Sequence, residues 1–403
     1  MSATREGRSR LWNAARAAAV AVAVSPLAVS GPLHAQTPTT DLGLGYPVQP
    51  LDARAAALGG TGIGLYGGSF SSRNPADLTM FSNPAIGGTL GPESVKLKTI
   101  EGEQSTGRSR FVVMQGVLPY QQWRFGLNVN AELDQDWDVL LADTLRTGFG
   151  DYPYLESRQH DGGVSSVGLS VAYRLGPLGL GVEGSALTGS LRQVFRRTFD
   201  PAVGDPSNQI GGALGDARWA FSGWRFRAGL TGEIGRRGIV SAAITSYTQL
   251  KAEKDTFGIA IGTQTFDMPL EVAIGGSVVL TQKLMLAAAG GWKGWSGTNF
   301  RLFDTQSADV MWAGGGLEYL GVRLVGLPIP LRAGYRYTDL PFYGGDFEQL
   351  SESAFTFGFG ARIAGGRAAL DFGVEIGSRG DLETTGTEES FQRLSLSLGI
   401  NSM

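Results

Sequence analysis

Few residues of this chain have the types and spacing that catalysis or metal binding at one centre requires. The acidic run over 134–138 resembles the start of a calcium loop, but Val139 replaces the required glycine and Leu145 the final glutamate. A solvated acidic loop is the better interpretation. His160 is the one histidine after residue 35, which excludes a histidine-rich metal site and disfavours a Ser-His triad. The chain has no cysteine, so disulfides and thiolate ligands are excluded.

Two further arrangements match known motifs by spacing alone. Gly62-x-Gly64-x-x-Gly67 has dinucleotide-binding spacing, but no predicted strand precedes it and no clear helix follows it. Asp371 and Glu375 share one side of a predicted strand, where pairing with arginines explains them better than acid–base catalysis does. We therefore expect neither an enzyme nor a bound metal or cofactor.

Residues 1–35 have the pattern of an export signal. Arginines come first, an Ala/Val-rich run follows over 17–24, and Leu33-His34-Ala35 fits a cleavage site. The apolar run is too short for a membrane anchor, so we predict a cleaved signal peptide. This segment holds four arginines and one glutamate, so the net charge of −3 for the whole chain becomes −6 for residues 36–403. That mild acidity does not indicate nucleic-acid binding.

The composition favours a membrane β-barrel over a helical membrane protein. Hydrophobic residues make up 42% of the chain and the mean hydropathy is −0.02. In a membrane barrel, lipid-facing apolar residues alternate with polar lumen residues, so the average is close to zero. The 61 glycines often lie inside alternating segments, as at Gly179, Gly181 and Gly358. Such glycines suit a barrel wall that an interior plug approaches closely.

Apolar residues recur at every second position from about residue 93 onward, which predicts strands. Over 123–131, each odd position is apolar and each even position is polar or glycine. Fifteen segments fit the pattern, and 257–266 is the weakest. Because bacterial barrels have an even number of strands, we predict fourteen, in a barrel over 93–403. Longer polar connections are predicted at 132–163, 191–217, 295–307 and 339–353.

Charged residues lie on the polar face of several predicted strands, namely Arg225, Arg227, Arg332, Arg336, Asp371 and Glu375. An arginine facing lipid at the bilayer midplane would cost roughly 2–4 kcal/mol, so we predict that these residues face the lumen. Aromatic residues near predicted strand ends indicate interfacial girdles, namely Trp123, Trp219, Trp224, Trp292, Trp295, Trp312, Tyr173, Tyr319, Tyr335 and Tyr337. A soluble β-sandwich or propeller is the less favoured alternative.

Residues 36–92 form a separate unit that is rich in glycine and has turn-forming Asn-Pro-Ala triplets at 74–76 and 83–85. The stretch 58–64, the first triplet, Trp-Lys-Gly-Trp-Ser at 292–296 and Pro-Leu-Arg-Ala-Gly-Tyr-Arg-Tyr at 330–337 resemble FadL-type outer-membrane transporters of long-chain fatty acids and other hydrophobic compounds. The resemblance implies an all-β, fourteen-stranded transmembrane barrel with an N-terminal hatch over 36–92. The hatch motif comprises Gly59, Gly60, Gly62, Asn74, Pro75 and Ala76.

The resemblance also implies passive uptake of hydrophobic small molecules across the outer membrane of a diderm bacterium, without a cofactor. Outer-membrane lipids and a hydrophobic solute would be the partners. The solute would leave sideways through a gap at the third strand, where Gly126 and Asn128 lie. Apolar hatch residues are predicted to line a substrate pocket, although packing of the plug explains each equally well: Ile63, Leu65, Tyr66, Phe70, Leu78 and Phe81.

PorV-like subunits of protein secretion machinery share this architecture, and Gly377-Ser378-Arg379-Gly380 and Glu389-Ser390-Phe391 resemble them. A secretion or surface-assembly subunit is therefore the alternative, with protein partners bound through long extracellular loops at 132–163 and 191–217. A general aqueous porin is a third hypothesis, which the predicted plug disfavours.

Overall fold

The computed structural model describes residues 45–99, 102–147, 150–199, 212–254, 263–299, 301–302, 305–324, 326–343, 348–382 and 387–402. The predicted signal peptide lies outside these residues, as do positions 257–262 of the weakest predicted strand. Within the described ranges, no helix is both long and apolar enough to cross a bilayer.

Fourteen antiparallel strands form a closed wall. Each strand pairs with the next along the chain, and the first pairs with the last through the partners Ala85 and Asn401. The prediction of a fourteen-stranded antiparallel barrel is confirmed. The strands are β1 (Ala85–Thr99), β2 (Gly102–Tyr120), β3 (Trp123–Asp134), β4 (Gly150–Leu175), β5 (Leu178–Phe199), β6 (Ala213–Ile234), β7 (Gly238–Tyr247), β8 (Glu271–Thr281), β9 (Leu284–Lys293), β10 (Val310–Leu324), β11 (Leu327–Tyr343), β12 (Gln349–Ile363), β13 (Ala368–Asp381) and β14 (Thr387–Asn401).

The alternation of residue types along each strand decides which face points outward. On β3, Phe125 is 44% exposed and Leu127 is 50% exposed, whereas Arg124 and Asn128 are buried. Apolar side chains can face lipid at little cost, while the polar ones between them need hydrogen-bonding partners inside the barrel. The wall therefore has an apolar outer surface and a polar inner one.

The two ends of the barrel differ. The connections after β2, β4, β6, β8, β10 and β12 are short and lie at one end together with Ala85 and Asn401; we call this the turn end. We call the opposite end the loop end. There the wall extends further on one side, because β4 has 26 residues and β5 and β6 have 22 each, whereas β7 has 10. Trp137–Thr147 adds a further strand alongside β4 there.

The long loops predicted at 132–163 and 191–217 are therefore largely strand in the described residues. They were not recognised because a sheet that rises above the membrane meets water on both faces, so its residues need not alternate. The predicted 339–353 loop is also mostly strand, within β11 and β12. Smaller strands at Leu250–Lys254 and Gln264–Phe266 pair with each other, and the first also pairs with β6.

Residues 45–84, called the inner segment, precede β1 and lie against the inner face of the wall. They contain a short strand (Tyr46–Pro47), the helix α1 (Ala53–Ala57) and a 3-10 helix (Pro75–Met80). The helix contacts β11 to β14, and the 3-10 helix contacts β3 to β7. The wall begins at Ala85 rather than near residue 93, because a bulge between Thr89 and Leu90 interrupts the alternation.

Candidate functional site

The inner segment meets the wall where wall strands carry glycine. A β-carbon on Gly181 of β5 would overlap the backbone of Ala76, and one on Gly229 of β6 would overlap the side chain of Asn74. Glycines on seven further strands have the same relation to the inner segment, namely Gly87, Gly126, Gly275, Gly314, Gly334, Gly358 and Gly399. Glycine lets two backbones approach closely because it has no side chain. The inner segment is thus packed against much of the circumference.

The glycine-rich part of the hatch motif turns the chain close to the wall. Gly59 and Gly60 have φ values of +74° and +76°, in the left-handed region that favours glycine. The Gly59 N–H donates to Thr356 Oγ1 of β12 at 3.0 Å. The Leu51 side chain lies directly against Gly62 and leaves no room for a β-carbon there.

The Asn-Pro-Ala part of the motif begins the 3-10 helix. Asn74 caps it by accepting from the Ala76 N–H at 3.0 Å, and Pro75 takes the first position, where its missing N–H costs nothing. The Asn74 Nδ2 also donates to the Leu230 carbonyl of β6 at 3.1 Å. The cap therefore joins the inner segment to the wall.

Asp77 connects three parts of this region. Its carboxylate accepts from Thr231 Oγ1 of β6 at 2.6 Å, from Ser241 Oγ of β7 at 2.7 Å and from the Gly64 N–H at 2.8 Å. Burial raises the pKa of Asp77, and these hydrogen bonds oppose that rise.

The six apolar residues predicted to line a pocket lie mainly at contacts with the wall. Three are buried there: Ile63, Leu65 and Leu78. Phe70 packs on Phe81 with ring centroids 5.3 Å apart, and Tyr66 is 39% exposed and donates to the Arg236 carbonyl at the turn end. None of the six lines either of the two interior cavities described below.

The charged residues predicted to face the lumen lie on the inner face as ion pairs. Arg332 contacts Asp371 at 2.6 Å, and Arg336 contacts Glu375 at 2.7 Å. Arg225 pairs with Glu183 at 2.7 Å, and also with Glu132.

Arg227 lies 3.6 Å from the same Glu183 carboxylate and donates to Thr245 at 3.0 Å. Removing one partner of a buried pair typically costs about 3–5 kcal/mol, because the other charge is left uncompensated.

Residues 47–49 line two cavities on the loop-end side of the inner segment. One, of about 50 Å³, is bordered by Arg73, Tyr247, Glu271, Trp295 and Trp312 among others. The other, of about 30 Å³, lies beside Arg110, Arg336 and Arg393. Trp295 and Trp312 were predicted to lie in an interfacial girdle, but the structure buries both inside the wall.

Arg73 is a buried cation that forms no direct ion pair among the described residues, although Glu271 borders the same cavity and its charge opposes the lowering of the Arg73 pKa. Its guanidinium lies over the Trp312 ring at 3.8 Å and donates to the Gly60 carbonyl at 3.4 Å. No carboxylate among the described residues lies within 4 Å of it. Burial lowers the pKa of Arg73 to about 10, which leaves it protonated at neutral pH. In the sequence, the one feature that draws attention to Arg73 is its position directly before the Asn-Pro-Ala triplet. That position does not show whether a carboxylate lies near the guanidinium.

Searches of family models and of curated proteins find no match to this chain. Solved structures do match it. The toluene transporter TbuX of Ralstonia pickettii is 16% identical over 89% of this chain and 99% of its own, with a TM-score of 0.58. The toluene transporter TodX of Pseudomonas putida is 16% identical, with coverages of 88% and 97% and a TM-score of 0.55. A FadL homologue of Pseudomonas aeruginosa is 12% identical, with coverages of 89% and 99% and a TM-score of 0.58. The chain has the FadL-type fold.

This FadL-type barrel has a discontinuity between β2 and β3. From the turn end, these strands pair up to Val113 and Asn130. Beyond that point Tyr46–Pro47 of the inner segment pairs with Leu133 and Asp134, on the edge of β3 that would otherwise face β2. We call this place the seam. The gap implied at Gly126 and Asn128 is not there, because both residues pair with β2 and β4.

Side chains bridge the seam where backbone pairing stops. Asp134 of β3 contacts Arg110 at 3.0 Å and Arg108 at 3.4 Å, both on β2. The two arginines also contact Glu93 of β1. The seam is therefore closed by ion pairs and a strand of the inner segment, whereas the rest of the wall is closed by a backbone ladder.

Proposed function

We propose that this protein is an outer-membrane channel for the passive uptake of hydrophobic small molecules. The observation that carries the proposal is the glycine-fitted contact of the inner segment with the wall, which supports the role of that segment as a hatch. A channel for water-soluble solutes needs a continuous lumen. A hatch leaves a solute that enters at the loop end with no straight path, so only a solute that is soluble in lipid can leave through the wall.

The likeness to solved structures supports the same class of solute. TbuX and TodX are named as toluene transporters, and a related channel, CymD, as a monoaromatic hydrocarbon channel. These proteins share the fold of this chain, and their solutes are apolar. Location in the outer membrane of a diderm bacterium follows from the same proposal.

The seam supplies a route out of the lumen. Breaking a backbone ladder between strands exposes unpaired N–H and C=O groups, which is costly in lipid. At the seam, by contrast, separation of β2 from β3 requires breaking the Asp134 ion pairs and displacing Tyr46–Pro47. The seam is thus the place where the described wall opens at the lowest cost.

Arg73 favours solutes that carry a carboxylate, such as long-chain fatty acids. A buried guanidinium without a carboxylate partner gains a charge-assisted hydrogen bond when an acid binds, worth about 1.5–3 kcal/mol. The aromatic rings of Tyr247, Trp295 and Trp312 lie beside it and can contact an apolar chain. The present cavity is smaller than such a solute, so binding would displace residues 47–50.

Uptake of a labelled fatty acid and of the alcohol of equal chain length tests both parts of the proposal. The measurement uses diderm cells that lack other transporters of this type. Arg73→Gln should slow uptake of the acid about tenfold and leave the alcohol unchanged, because the alcohol has no charge to pair. Arg73→Lys should restore part of the uptake of the acid.

Two outcomes would count against the proposal at different levels. Equal effects of Arg73→Gln on acid and alcohol would refute the assigned role of Arg73. Uptake of neither solute above that of cells without the protein would refute the channel itself. Arg192→Gln is the matched control, because Arg192 forms an exposed ion pair with Asp216 at the loop end.

A second candidate is a subunit of a protein secretion or surface-assembly machine. The observation that favours it is the tall part of the wall, formed by Trp137–Thr147 and the loop-end halves of β4, β5 and β6. This sheet rises beyond what a bilayer requires and offers a large surface to a protein. Native mass spectrometry of gently extracted protein distinguishes the two candidates. A lipid-sized ligand supports the channel, and a stoichiometric protein partner with an empty barrel supports the subunit.

A further inference from the structure

The exposed charged side chains at the turn end are mostly positive. Exposed arginine or lysine lies on or within two residues of four of the six short connections: Arg236, Arg237, Lys283, Arg323, Arg362 and Arg367. The half-buried Arg174 adjoins a fifth connection, and Glu233 is the one carboxylate within the same distance of the described connections. These eight side chains sum to a formal charge of +6, whereas residues 36–403 as a whole carry −6. The remainder of the chain therefore carries −12.

These cations differ from the arginines of the lumen. Glu233 pairs with Arg174 at 2.6 Å. The other six have no carboxylate within 4 Å among the described residues, whereas the lumen arginines Arg225, Arg332 and Arg336 are each ion-paired. The six turn-end cations are therefore free to bind an external anion. We call these six residues the basic rim: Arg236, Arg237, Lys283, Arg323, Arg362 and Arg367.

The basic rim lies where the apolar outer surface ends. Exposed apolar side chains stand within two residues of its cations: Ile234 is 62% exposed, Leu324 is 65% exposed and Ile363 is 41% exposed. Apolar residues of this kind face acyl chains, so the adjacent turns lie at the level of lipid headgroups. Arg323 and Arg362 alternate with the outward residues Leu324 and Ile363 and leave their strands on the inner face, so the cations on the turns themselves are nearest the bilayer: Arg236, Arg237, Lys283 and Arg367. The end with short turns faces the periplasm in barrels of this type.

We propose that the basic rim binds anionic phospholipid headgroups in the periplasm-facing leaflet of the outer membrane. A cation near an anionic lipid surface strengthens association about fivefold, and the effect falls off within a Debye length. The cations follow the circumference from the β6–β7 turn to the β12–β13 turn. A bilayer surrounds the barrel and meets all of them at once, whereas a globular protein partner would meet one side. The proposal does not depend on which solute the barrel carries.

Native mass spectrometry of the mature protein released from nanodiscs tests this proposal. The nanodiscs contain equal amounts of phosphatidylcholine and phosphatidylglycerol with matched acyl chains. The wild-type protein should retain phosphatidylglycerol in severalfold excess at low salt. The excess should fall as sodium chloride is raised, because salt screens exposed charges.

Pairwise neutralisation limits the risk of misfolding. Arg362→Gln with Arg367→Gln, and separately Arg236→Gln with Arg237→Gln, should each lower the excess at least about threefold. Charge-conserving replacement of the same residues by lysine should retain it. Lys98→Gln with Lys251→Gln is the matched control, because both lysines are exposed at the loop end.

Folding of each variant is checked by the heat-dependent mobility of the barrel in gels. Retention of both lipids in their input ratio by the wild-type protein would overturn the proposal. An excess that persists in both pair variants would overturn it as well. An equal loss in the loop-end control would show that total charge, and not the basic rim, governs lipid retention.

Discussion

Single wall positions decide how closely the inner segment can approach. On β5, Gly181 faces the inner segment, whereas Gly184 faces outward and a β-carbon there would meet Phe226 at an ordinary 4.0 Å. The sequence predicted that Gly179 and Gly181 would suit an approaching plug. It did not predict that Trp295 would turn inward, because that residue lies in a short 3-10 turn where alternation no longer assigns a face.

Replacing these two glycines by valine tests the fit at the residue scale. Gly181→Val should lower the free energy of unfolding by roughly 1–3 kcal/mol, because the new methyl groups force the backbone of Ala76 away. Gly184→Val should have little effect, since valine suits a strand and would face lipid. Urea unfolding in detergent, followed by tryptophan fluorescence, measures both. Equal losses from the two variants would contradict the proposed contact.

At the scale of elements, the seam differs from the other strand pairs of the wall. Alternation could place β2 and β3 in the sequence, since both strands have clear outward apolar residues. It could not show where their pairing stops, because register depends on which strand edge the inner segment occupies. For the same reason the gap implied at Gly126 and Asn128 was wrong. The pattern of residue types does not show where the backbone hydrogen bonds between two neighbouring strands are absent.

Asp134→Asn tests the seam as an exit. The variant keeps the size of the side chain but removes the charge that attracts Arg108 and Arg110. If separation of β2 and β3 limits uptake, solute uptake should rise about tenfold, since an ion pair of this kind contributes about 1–2 kcal/mol. Asp216→Asn is the control at an exposed ion pair. Slower uptake by the Asp134 variant in a correctly folded barrel would argue against an exit at the seam.

At the scale of the whole molecule, the strands of the wall could be predicted wherever lipid on one face and polar groups on the other impose an alternation of apolar and polar residues. Fourteen strands were therefore predicted, but the loop-end parts of β4, β5 and β6, which fall in the predicted loops 132–163 and 191–217, were not. Turn formers and glycines predict a separate unit over 36–92, which includes the inner segment. Its glycine-fitted contacts with nine wall strands could not be predicted, because they join residues that are far apart in the chain.

Removal of residues 45–84 tests whether the inner segment closes the barrel. The wall retains all fourteen strands in such a deletion, since β1 begins at Ala85. Without the segment the lumen loses the glycine-fitted contacts, so ion conductance across a planar bilayer should rise well above that of the intact protein. Removal of residues 138–159, which belong to the tall part of the wall, should leave conductance unchanged. Because that second deletion also removes a stretch of chain but leaves the inner segment intact, it separates loss of the inner segment from general loosening. Unchanged conductance after removal of 45–84 from a folded barrel would mean that the wall side chains alone close the lumen, and that the inner segment contacts the solute without sealing the barrel.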